Sequence, residues 1–156
     1  MRWIWMVLAG WLLVGGTNAV RSAEPGAEGA PFSGQWEVRW CEGARSDEDC
    51  GGFWVNLVQS GHRVCGEYDG AKVNLTQIDE GGRVAGTADG DWARLKVRSL
   101  RNHALVEVQV QRKGPDLHWK RGETIEPGNS DISIIADEEV LQPGRPAPLR
   151  APEACR

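Results

Sequence analysis

Between Phe53 and Arg112 apolar and polar residues alternate with a period of two, interrupted at short intervals by turn-forming dipeptides. That is the pattern of β-strands joined by tight turns. A turn at Ser60-Gly61 sets Phe53, Val55 and Leu57 against Tyr68, Gly66 and Val64 on one face, with Trp54, Asn56 and Val58 on the other. Turns at Asp69-Gly70, Glu80-Gly81, Asp89-Gly90 and Arg101-Asn102 carry the same apolar face onward. The last of them sets Leu95 opposite Val108 and Val97 opposite Val106 inside, with Lys96 opposite Glu107 outside. A slip of one residue would turn every side chain over. Five successive turns that keep one face apolar therefore predict a register as well as six strands.

The flanks extend the pattern. Gly34–Trp40 alternates strictly, with Trp36, Val38 and Trp40 on one face, and predicts a first strand. After a turn at Lys113-Gly114-Pro115, Leu117, Trp119 and Arg121 share the inward parity of a last strand. The prediction is an all-β domain, an eight-stranded up-and-down antiparallel meander, and eight strands suffice to close a small barrel and remove its edges. Glu123 to Asn129 reads as loop, and Ala136 to Leu141 as one helical turn. From Gln142 onward, four prolines in fifteen residues end regular structure. The organisation expected is a leader over 1–23, a Pro-, Gly- and Ala-rich flexible arm over 24–33, the barrel over 34–141, and a Pro-rich tail over 142–156.

The leader is expected to be a signal peptide. Arg2 precedes an apolar run from Ile4 to Val14, and small residues follow, with cleavage after Ala23 or, second, Ala19. The run is short for a membrane span, so the mature chain is expected to be secreted or periplasmic without stable membrane insertion. Without Arg2 and Arg21 the chain carries 16 basic and 22 acidic residues, net −6, which argues against nucleic acid as a main partner. All four cysteines fall in the exported part, where disulfides are the default. Of the three possible pairings, the short polar loop between Cys41 and Cys50 favours their union, leaving Cys65 for Cys155. Cys65 faces outward in the register above, so the pairing would pin the tail across the outside of the barrel. The cysteines lack the spacing of a zinc site, and no metal is expected.

Gly34-Gln35-Trp36 opening the first strand, followed by a tight-turn meander, resembles the calycins, the lipocalin and avidin-like barrels. The resemblance spans roughly Ser33 to Gly122. It implies a calycin-like barrel in which Trp36 plugs the floor beneath a basic side chain from near the last strand. Arg121, on the inward parity of Trp119, is the matching cation.

Candidate chemistry is sparse. No histidine is placed by sequence beside a nucleophile, no phosphate-loop, dinucleotide or zinc-protease motif occurs, and neither an enzyme nor a cofactor is expected. Small residues at Gly66, Gly86, Ala88 and Ala93 share the inner face with large aromatics, which fits either a ligand cavity or a sheet curled tightly around its own rings. On the first alternative the protein binds a small apolar or aromatic ligand at the open end through Trp40, Tyr68 and Trp119. On the second it is an envelope protein-interaction module, an inhibitor or adaptor with a filled barrel. Its partner would be another envelope protein, met by Asp47, Glu48 and Asp49 in the loop between Cys41 and Cys50. The outward stripe Trp92, Arg94, Lys96, Arg98 is read as ordinary charged exterior, partly neutralised by Glu107.

Overall fold

A computed structural model describes residues 30–41, 50–73, 78–130, 134–144 and 155. The expected leader, most of the expected arm and the tail between 144 and 155 lie outside them. Eight antiparallel strands run in sequence order: β1 Gly34–Trp40, β2 Gly51–Ser60, β3 Arg63–Ala71, β4 Ile78–Asp89, β5 Trp92–Ser99, β6 Leu105–Lys113, β7 Asp116–Glu126 and β8 Glu138–Pro143. Each pairs with the next, and β8 pairs with β1 to close the barrel. No α-helix occurs among the described residues.

The register keeps the predicted faces but not every predicted pair. The hairpins turn at Gly61-His62 and Gly90-Asp91, so Leu57 faces Gly66 and Val84 faces Val97. Gly61, Gly90 and Gly114 all take φ between 57° and 59°, with glycine leading each two-residue turn rather than closing it. Moving a turn by one residue shifts its pairs by two, which returns each side chain to its original face. The β5–β6 pairs stand as expected: Leu95–Val108, Val97–Val106 and Lys96–Glu107.

The strand count is eight, but the strand expected between Asp69-Gly70 and Glu80-Gly81 is not a separate one, and β8 makes up the number. Asp69-Gly70 and Glu80-Gly81 are not turns. β3 runs through the first and β4 through the second, and the register shifts between Tyr68 and Gly70. Gly81 takes φ 89° at this irregularity, where an added Cβ would collide with the backbone oxygen of Tyr68. The dipeptide that reads as a hairpin is a β-bulge, one extra residue absorbed by a glycine. Ala136–Leu141, read as a helical turn, instead contributes β8. Leu141 pairs with Leu117 and is fully buried, and the unpaired edges of β1 and β7 outweigh the local helical preference of its glutamates. β7 extends through residues expected as loop, and β8 ends at Pro143, two residues beyond the expected boundary.

Both expected disulfides are formed, Cys41–Cys50 and Cys65–Cys155. Cys65 lies on the outer face opposite Val58, so the chain end is tied to the outside of β3.

The interior is packed. Phe53, Val55, Leu57, Val64, Val84, Leu95, Val97, Val106, Val108, Val110, Leu117 and Leu141 are all inaccessible to solvent and form one cluster with the inner aromatics. The floor end, where the 61–62, 90–91 and 114–115 turns gather, is closed by Phe32 and Trp36. At the rim end Ile134, Ile135 and Ala136 are buried.

Candidate functional site

Two of the three residues expected to meet a ligand belong to the core. The ring of Phe53 lies 5.6 Å from that of Tyr68 and 5.1 Å from that of Trp119, centroid to centroid. Such tilted contacts are favourable for aromatic pairs. Tyr68 pairs with Gly82, and a Cβ at Gly82 would fall inside the Tyr68 ring contact. Glycine here gives its volume to the tyrosine, as at Gly66, where a side chain would meet the backbone of Asn56 and Leu57 Cδ2. Trp119 Nε1 donates to the carbonyl of Ala136 at 2.9 Å, which satisfies a buried indole N–H and holds the 134–136 segment over the rings. The small inner residues serve the filling of the interior.

Trp36 lies at the floor end, under a different cation from the one expected. Trp36 is buried and its Nε1 donates to the carbonyl of Phe32 at 2.9 Å. The guanidinium over its ring belongs to Arg112, 4.5 Å from the centroid. The expectation for Arg121 is therefore corrected. β7 starts at the floor and climbs, so Arg121 lies toward the rim, where its Nη1 is 3.4 Å from Asp137 Oδ1. Arg112, at the lower end of β6, follows Val106, Val108 and Val110 on the inward parity, and that parity was the signal for it. Phe32 was also missed, because its Pro-, Gly- and Ala-rich context reads as a flexible arm. It shares the parity of Gly34 and Trp36, its N–H donates to Gln59 Oε1, and it is fully buried.

Trp40 behaves differently from Tyr68 and Trp119. It is half-buried at the rim, and its Nε1 donates to Glu139 Oε1 at 2.8 Å. With Lys72, Val73, Arg121 and the segment Ile134–Glu139 it lines an open cavity of about 400 Å³. The rim thus joins an aromatic face, two cations and the carboxylates of Asp137, Glu138 and Glu139. The Cys41–Cys50 disulfide, with Cα atoms 4.3 Å apart, draws together the two ends of the intervening loop directly beyond Trp40. Asp47, Glu48 and Asp49 themselves lie outside the described residues.

Other polar groups do structural work. Asn102 is buried in the β5–β6 turn; its Oδ1 accepts from Ala104 N–H, and its Nδ2 donates to Ser130 O. Arg98 of the outward stripe pairs with Glu126 at 2.9 Å and donates to the carbonyl of His103. Arg94 faces Gln109. Among the described residues no three His, Cys, Asp or Glu side chains converge as a metal site. No helix long and apolar enough to cross a membrane occurs among them.

No protein-family model, curated protein or solved structure matches this chain.

Proposed function

We propose that the protein is an exported interaction module whose barrel is a rigid scaffold and whose working surface is the rim that carries the Cys41–Cys50 loop. The observation that carries this reading is the packed interior. Tyr68 and Trp119 are spent on filling the barrel around Phe53, so recognition is left to the outside. Two disulfides and an apolar leader sequence support export. Asp137 and Glu138 are exposed at the rim, with Glu139 half-buried beside them, and the adjoining loop carries Asp47, Glu48 and Asp49. A partner with a basic surface fits this end, by steering and by specificity. The test is affinity recovery from the native envelope with Asp47, Glu48 and Asp49 changed together to alanine. Loss of a basic partner supports the proposal, and unchanged recovery refutes it.

A second reading has one observation of its own, the rim cavity beside Trp40. A small apolar or aromatic ligand would sit there, at the mouth of the barrel. Native mass spectrometry of protein purified from its own compartment separates the two readings, since a retained ligand adds mass and Trp40→Ala removes it.

A further inference from the structure

A further concave surface lies on the outer face of β1–β3, beginning beside Cys50 at the rim. A groove of about 490 Å³ runs along Gln35, Glu37, Arg39, Gly52 and Trp54. A second hollow, of about 230 Å³, continues it past Trp54 to Asn56 and Glu67. Gln35 and Trp54 line both, so Trp54 stands between two parts of one trough. From Gly51 to Asn56 the trough extends along β2 for about 17 Å at strand spacing.

Two features give this trough a chemistry. First, Trp54 is 38% exposed although its neighbours along the strand are buried. A Cβ at Gly52 would stand only 3.5 Å from its ring, so the indole lies back over Gly52 along the strand. Second, the polar lining is rich in planar groups: the amides of Gln35 and Asn56 and the carboxylates of Glu37 and Glu67, beside Arg39 and Asp69, which have partners of their own. Each of these amides and carboxylates presents two donor or acceptor positions in one plane.

We infer that this trough binds a neutral oligosaccharide of hexopyranose rings. The apolar C–H face of a sugar ring stacks on an indole, and adjacent hydroxyls match planar amides and carboxylates two at a time. The length of the trough suits several rings in a row. Glu37 and Glu67 disfavour a polyanion, which excludes nucleic acid and strongly acidic glycans. The groove starts beside Cys50 at the rim and runs down the flank along β2, so a glycan held there would lie next to the end proposed to meet a protein.

The test is calorimetric titration of the disulfide-bonded protein with the hexaoses of cellulose, chitin, starch and laminarin, together with the indole N–H resonances of ¹⁵N-labelled protein. Saturable binding of at least one hexaose is expected, with the largest resonance shift at Trp54. Trp54→Ala should weaken binding about tenfold or more, Trp54→Phe less, and Asn56→Ala measurably. Trp92→Ala, which removes another exposed indole on β5, should leave binding unchanged. Far-ultraviolet circular dichroism checks that each variant is folded. The inference is overturned if none of the four sugars binds, including the case in which the chain's own segment 145–154 fills the trough. Binding that survives Trp54→Ala with the variant folded overturns it equally.

Discussion

Truncating Phe53 to alanine removes the ring that touches both Tyr68 and Trp119 at the centre of the barrel. A phenylalanine side chain buries upward of about 150 Å², and Phe53 is completely inaccessible. At about 25 cal/mol per Å², the part lost on truncation is worth about 3 kcal/mol. The surrounding rings are poorly placed to collapse into the space. Tyr68 is seated on Gly82, and Trp119 is held by its bond to Ala136 O. A residual cavity then brings the cost to about 3–5 kcal/mol. The measurement is urea unfolding followed by fluorescence with both disulfides intact, comparing midpoints at constant slope. Calorimetry should show a fall in Tm of about 12–20 °C for a domain of this size. A loss below about 1.5 kcal/mol would refute the reasoning, because a ring lining a hollow vessel is truncated more cheaply than one packed on all sides.

Three further outcomes follow from the same contacts. Arg112→Ala removes the cation over Trp36 and a bond to Asp116 O, and should cost about 1–2 kcal/mol. Arg121→Ala loses only the long rim pair with Asp137 and should cost under about 1 kcal/mol; the reverse order in urea unfolding would restore Arg121 to the floor. Cys65→Ser with Cys155→Ser opens a loop of sequence separation 90, against 9 for the other bridge. In the chain-entropy limit the respective losses are about 4.6 and 2.6 kcal/mol, so paired denaturation curves that rank the bridges oppositely would contradict the entropic account. Gly82→Ala forces a methyl into the Tyr68 ring and should destabilise by about 1–3 kcal/mol, whereas Gly90→Ala meets no atom and bears only the cost of its positive φ. Thermal midpoints compare the two.

The sequence carried the faces of the sheet further than it carried the pairs. Val64, Tyr68, Val84, Leu95, Val106 and Val108 all face inward as alternation requires, because a turn displaced by one residue shifts its pairs by two. The turns themselves were less legible, since Ser-Gly and Asp-Gly read as dipeptides closing on glycine while the chain places glycine first. Glu80-Gly81 shows a deeper limit. The same dipeptide serves a hairpin or a bulge, and only the partner strand decides. β8 was hidden for a related reason: Glu138 and Glu139 favour a helix locally, and the demand of two open edges is visible only once the other strands are laid side by side. Of the candidate site residues, Trp36 was set on the inner face by parity and at the floor by the resemblance, and the cysteines were paired by spacing and register, while Arg121 was assigned without knowing which end of the barrel its strand reaches. Tyr68 and Trp119 were correctly set inside; parity alone does not say whether an inner face encloses space or fills it.

The claim on which the functional proposal depends is that the barrel is full. It is tested most directly by a crystal structure of the protein purified from its own compartment without refolding. The account predicts that the side chains of Phe53, Tyr68, Trp119 and their aliphatic neighbours account for all interior density, with Ile134–Ala136 closed over them. Density for a bound molecule between Phe53 and Trp119, with the rings turned aside to admit it, would contradict it.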